Sequence, residues 1–228
     1  MAQPGMGMGM FGGGAMASLS GQYGRLLNMP AVQKELELVD DQKTKIGEAN
    51  QTMRESMQEV FSGMQPPSPD MTPEERQKSM DEIQKKMQPV QEKYQKAVEG
   101  ILLPNQAKRL KEIALQVAGT SALSDKKVQD DLKLSAEQAT KIKTINEDMG
   151  KKIQAMFAEA NGDFQSLRPK MQELRQDTEK QITGVLTDEQ KASLEKMKGQ
   201  KLEIPASELG GRGFRGGPGG PGGPGGGN

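Results

Sequence analysis

Histidine and cysteine, the side chains behind much protein chemistry, are both missing from this chain of 228 residues. General acid–base work near neutral pH most often uses His, and structural zinc needs Cys or His. The expectation is a protein without catalytic residues, without a metal centre of the usual ligand set and without a cofactor, and so not an enzyme. The Asp and Glu residues fall at solvent-facing helical positions, where charge serves hydration. One group has ligand-like spacing: Met6, Met8 and Met10 alternate in "MGMGM", and thioether sulfur is a soft donor suited to Cu(I). The other reading of that stretch is a low-complexity tail that contains methionine by composition. The Gly-rich ends lack the strand, helix and lysine of a phosphate-cradling loop, and "GRGFRGG" holds too few arginines for an RNA-binding Arg–Gly segment.

Charge excludes further classes. The chain carries 31 basic and 31 acidic residues, and residues 31–113 and 114–204 are each close to balance. No block of one sign exists to draw in nucleic acid or an anionic membrane. No apolar run approaches the ~20 residues that cross a bilayer, so no membrane insertion is expected. "MAQPGMGMGM" lacks the basic start of a secretory signal, and "AQP" after Met1 would suit a mature N-terminus with a start codon added.

Eight of the 28 glycines lie in residues 1–24 and twelve in 210–228. Such ends bury too little apolar surface to offset the entropy of ordering them. The expected organisation is a disordered Gly/Met-rich segment over 1–24, a helical-hairpin repeat over 25–118, a second over 119–204, and a disordered Gly/Pro-rich tail over 205–228. Aromatics are only 3% of the chain and Trp is absent. The core must therefore rest on Leu, Ile, Val and many flexible methionines.

A helix-start signature occurs in four versions: "LVDDQ" at Leu38, "LLPNQ" at Leu102, "LSAEQ" at Leu134 and "LTDEQ" at Leu186. In the last, Thr187 can accept from the free amides of the first turn while Gln190 reaches back to the Thr187 amide. Asp188 and Glu189 place negative charge at the positive end of the helix dipole. Ser135 and Gln138 repeat the arrangement. Val39 and Leu103 hold the capping position in the other two versions and have no side-chain oxygen. Those helices are therefore expected to start one residue later, with Asp40 or Asn105 as cap. Asn28 and Ser124 look like caps of a short helix before each long arm.

Sliding residues 27–61 by 96 positions onto 123–157 gives 13 identities in 35, where chance gives about two. Leu27/Leu123, Gln42/Gln138, Ile46/Ile142, Asn50/Asn146 and Phe61/Phe157 are among the pairs. The return arms align at an offset of 84, with Met87/Met171, Leu102/Leu186 and Gln106/Gln190. The difference leaves 12 extra residues around "GMQPPSPDMTP", a loop at the first hairpin tip.

Apolar residues at spacings of three and four mark the arms as amphipathic helices: Ile46, Ala49, Met53, Met57, Val60 and Met64, then Ile83, Met87, Val90, Tyr94 and Val98. The second unit repeats them. Pro89 and Pro169 predict bent return arms. Such stripes bury in antiparallel pairs, and core packing is the first reading of their methionines. Near the tips fewer helices remain to cover them. Met57, Phe61, Met64, Met156 and Phe157 are the expected partner-binding contacts.

Paired "LTxxQ" signatures flanking a helical hairpin resemble the Spy/CpxP (LTXXQ-motif) family; "LTDEQ" matches fully, "LSAEQ" nearly, and the other two only at Leu and Gln. That resemblance implies an all-α periplasmic protein whose long helices build a curved cradle. It implies ATP-independent binding of unfolded or partly folded clients, or restraint of a specific envelope partner; other relatives bind or sense metals. The family usually has one hairpin per chain and dimerises. Here two tandem Spy-like hairpins are expected to form an intrachain pseudo-dimer, with a homodimer as the other arrangement. A structural or regulatory helical protein with one specific partner is the competing reading, and a metal-responsive protein a third.

Overall fold

The computed structural model describes residues 19–63, 71–160 and 167–209. Met64, Met6, Met8, Met10 and both glycine-rich extremes lie outside the described residues. The described residues are helical and contain no strand: α1 Leu19–Leu26, α2 Pro30–Glu35, α3 Asp40–Ser62, α4 Pro73–Ile101, α5 Pro104–Ala118, a 3-10 turn Gly119–Ser124, α6 Lys126–Asp131, α7 Ala136–Glu159, α8 Leu167–Val185, α9 Asp188–Met197 and α10 Ala206–Leu209. The helices Leu19–Leu26 and Ala206–Leu209 thus reach into the stretches 1–24 and 205–228 expected to be disordered. Leucines and Tyr23 explain the early start, because Leu19, Tyr23, Leu26 and Leu27 lie three or four apart and are all buried.

Two long antiparallel pairs dominate, α3 with α4 and α7 with α8. They are joined at their bases. Helix α1 packs on α4 and α5, and the 3-10 turn packs on α5, α7 and α8. One cluster of buried side chains runs from Leu19 to Leu194 and takes in Ile46, Val98, Leu110, Ile113, Leu115, Leu123, Ile142 and Ile182. Helix α5 lies at its centre: Leu110, Ile113, Ala114 and Leu115 are each 1% exposed or less. Pro89 lies inside α4, which continues through it; Pro169 falls in the first turn of α8, where a missing donor costs nothing.

Local geometry recurs 96 positions apart. After α2 the chain turns at Glu37 (φ 50°), and after α6 at Lys133 (φ 53°); no other non-glycine described residue has positive φ. Both turns close with the same bond, Leu38 N–H to the Gln33 carbonyl at 3.0 Å and Leu134 N–H to the Gln129 carbonyl at 2.9 Å. This is the helix end that usually employs glycine. Gln33 and Gln129 each donate their side-chain amide six residues back, to the carbonyls of Leu27 and Leu123.

Two of the four signature helix starts differ from expectation. Helices α3 and α5 begin at Asp40 and Pro104, with Val39 and Leu103 themselves as N-caps. The glutamine half of the box suffices to fix the register: Val39 N–H donates to Gln42 Oε1 at 3.3 Å and Leu103 N–H to Gln106 Oε1 at 2.9 Å. Nor do Asn28 and Ser124 cap the short helices. Asn28 donates back to the Gly24 carbonyl at 2.5 Å, Ser124 accepts from Asn146 at 3.0 Å, and Asp125 caps α6 through Lys127 N–H.

Val39 and Leu103 are 59% and 58% exposed, so neither contributes packing to match the missing hydroxyl. Val39→Thr and Leu103→Thr should each stabilise the fold by about 1 kcal/mol. Urea unfolding checks this, and unchanged midpoints would mean that the glutamine alone saturates the cap.

Candidate protein-binding surface

The four signature glutamines meet in two pairs. At the base of the first hairpin Gln42 Nε2 donates to Gln106 Oε1 at 2.7 Å and to the Ile101 carbonyl at 3.0 Å. Gln106 Nε2 returns a bond to Gln42 Oε1 at 3.3 Å and reaches the Leu36 carbonyl at 2.8 Å. Gln138 and Gln190 do the same at the second base, at 2.7 and 3.1 Å, with Gln138 also donating to the Val185 carbonyl. Each side-chain oxygen additionally accepts from its own N-cap amide. One amide thus caps a helix and ties the start of a long arm to the start of the helix that follows its return arm.

The complete caps sit where the hydroxyls are. Ser135 Oγ accepts from Gln138 N–H at 3.1 Å and Thr187 Oγ1 from Gln190 N–H at 3.2 Å. A further box, Thr72 with Glu75, opens α4. Its signal, "TPEE" with proline at the first helical position, is legible in the sequence but was not among the sequence expectations.

Above the clasps the two seams loosen. On α3, Ile46 is 2% exposed and Asn50 7%, while Met53, Met57 and Val60 are half-buried and Phe61 is 39% exposed. On α7, Ile142 is buried and Ile145, Met149, Ile153, Met156 and Phe157 are half-buried. The reason is the number of neighbours. Near the base a third element covers each seam, α1 on the first hairpin and the 3-10 turn on the second. Farther out only two helices remain, and two helices cannot enclose an apolar stripe. Met87 on α4 and Leu167 on α8 are exceptions, buried at 3% and 5%. The sequence-selected contacts Met57, Phe61, Met156 and Phe157 therefore lie on two separate arms, along half-covered seams.

Polar flanks frame these seams. Lys43–Asp40, Lys45–Asp41, Lys141–Glu137 and Lys151–Asp148 are exposed pairs three or four residues apart. Such exposed pairs add little to stability, and together they hold the arms hydrated with both signs interspersed. Among the described residues no group of three or more Asp and Glu side chains is placed to hold a metal ion. No described helix is long and apolar enough to cross a membrane.

A polar knot inside the first hairpin has no counterpart in the sequence reading. Tyr94 donates its hydroxyl to Asn50 Oδ1 at 2.7 Å, and Asn50 Nδ2 lies 3.5 Å from Asn28 Oδ1. Gly24 is what lets the tyrosine in: a Cβ there would stand 3.2 Å from the Tyr94 hydroxyl and 3.3 Å from Asn50 Oδ1. Burial pushes the Tyr94 phenol up to about 12. Burial, then the Glu99 and Asp125 carboxylates, do the same for Tyr23, also to about 12.

A phenol with a raised folded-state pKa favours the neutral form. Its contribution is complete below pH 10 and is lost as pH climbs toward 12. Unfolding free energy should therefore fall across that window, and less steeply in Tyr23→Phe. An identical fall in the variant would remove Tyr23 from the effect.

One hairpin with its glutamine clasp, from α2 to Leu110 in α5, is also the stretch with a recognisable family pattern. Residues 30–110 match a family model described as a domain of unknown function (DUF4890), while no curated protein and no solved structure matches the chain.

Proposed function

We propose that this chain is a non-enzymatic, Spy/CpxP-like envelope protein that binds unfolded or partly folded clients without ATP. The observation that carries the reading is the pair of half-covered methionine seams on α3/α4 and α7/α8. Methionine adapts its shape to irregular apolar partners, and a seam framed by charges of both signs takes up exposed apolar segments while staying hydrated. Periplasmic location, duplication of an ancestral hairpin, and a monomer in which two hairpins stand for two subunits all belong to this proposal.

The test is suppression of aggregation of a chemically denatured model client in the absence of nucleotide. Wild type should suppress it at a few-fold molar excess. Substituting Met53, Met57, Phe61, Met149 and Met156 by glutamine should weaken suppression several-fold with helicity retained. An inactive wild type, or an equally active variant, would overturn the reading. One stoichiometric partner recovered without any effect on aggregation would instead favour a regulatory or structural role.

A further inference from the structure

The chain after α9 is held by side chains rather than by secondary structure. It turns at Gly199 (φ 62°) and runs without helix or strand through Pro205. Gln116 on α5 reads this backbone with both ends of its amide. Nε2 donates to the carbonyls of Lys198 and Gln200 at 2.6 and 2.7 Å, and Oε1 accepts from Leu202 N–H at 2.9 Å. Leu202 and Ile204, two apart, pack half-buried on the core. Farther on, the Glu208 carboxylate accepts from Ala31 N–H at 3.0 Å and Arg25 donates to the Leu209 carbonyl. A cleft of about 710 Å³ lies along the segment, lined by Gln116, Val117 and Glu195 together with Leu202, Ile204 and Leu209 themselves.

A primary amide that bonds a backbone N–H and backbone carbonyls recognises groups that every extended polypeptide offers. Selectivity is left to two aliphatic side chains at alternate positions. The hold is also weak. Leu202 and Ile204 are only half-buried, and this stretch makes no ladder or helix bonds, so it opens at a free energy below that of the core. The turn into it requires glycine: Gly199 has φ 62°, and a Cβ there would overlap the Glu112 carboxylate, which is itself held by Arg109 at 2.9 Å.

We infer that the surface of α5 and α9 around Gln116 is a groove for extended polypeptide segments bearing large aliphatic residues at alternate positions, and that residues 198–205 occupy it as an intramolecular competitor. The occupant class, an unfolded client chain, rests on the function proposed above. A competitor tethered to its groove weakens every ligand in trans until the tether is dislodged.

The experiment uses the full chain and a fluorescent peptide of residues 198–209, KGQKLEIPASEL. The peptide should bind a Leu202→Asp/Ile204→Asp chain at least about tenfold more tightly than wild type, and adding Gln116→Ala should abolish that binding. Equal binding to wild type, or none to a folded dislodged variant, overturns the inference. Amide exchange on the wild type guards against a variant that fails to fold. The Leu202 amide should exchange by local opening, faster than the amides of Ile113 and Leu115, and exchange only with global unfolding also overturns it. Peptide binding without suppression of aggregation would support the groove and sink the client reading. Suppression without peptide binding would do the reverse.

Discussion

Gln106→Ala should lower the unfolding free energy by about 3 kcal/mol, and Gln190→Ala by only about 1 kcal/mol. Both remove the third helical residue of the same signature, so local capping alone would make them equal. What differs is the burial of the partners left behind. Gln42 and Gln106 are 8% and 6% exposed. Loss of Gln106 strands the Leu103 amide, the Leu36 carbonyl and one face of the Gln42 amide. A buried polar group without a partner costs about 1–3 kcal/mol. At the other base Gln138 and Gln190 are only half-buried, and Gln190 reaches the Leu132 and Lys133 carbonyls only at 3.4 and 3.5 Å, where water can replace it. Urea unfolding of the two variants decides the matter. The Gln42→Ala/Gln106→Ala double variant should lose less than the sum of its singles, by about 1 kcal/mol. Equal losses at the two bases would reduce the clasp to a pair of independent caps.

Ile113→Ala should cost about 3–4 kcal/mol and shift the unfolding of both hairpins together. Ile113 is 0% exposed at the centre of α5, and the cluster it belongs to contains Ile46 and Val98 of one hairpin and Ile142 and Ile182 of the other. A cavity there removes contacts on which both bases rest. Amide exchange followed separately in α3 and α7 should show one common shift in midpoint. A shift confined to α3 and α4 would show that α5 serves the first hairpin alone. Such a result would also make the boundary at 118/119, which falls at Gly119 (φ 55°), a true division between independently folding units.

The arms were legible because a period of three to four is a local property. Met53 and Met57 on α3 and Met149 on α7 follow from spacing alone, as do the starts at Ser135 and Thr187, where cap and glutamine are three residues apart. The missing hydroxyls of Val39 and Leu103 predict a displaced helix start, which the structure does not show. The glutamine bond to the N-cap amide is enough to keep it in place. Asn28 bonds back to the helix before it and Ser124 is taken up by Asn146 of α7, 22 positions away, because a short polar side chain next to a helix start can serve other partners equally well.

Other features depend on residues far apart along the chain. Gln42 and Gln106 are 64 positions apart, Asn50 and Tyr94 44, Gln116 and Leu202 86. No periodicity encodes which polar groups will face each other across a base, or that Gly24 leaves room for a phenol. The composition and patterning of this chain settle that it makes long amphipathic helices and where most of them begin, because propensity, capping and stripe formation act within one or two turns. Which seams are closed by a third element, which glutamines clasp, and where the C-terminal segment lies are settled only by packing. Those outcomes depend on steric fit and on satisfying buried amides between distant segments.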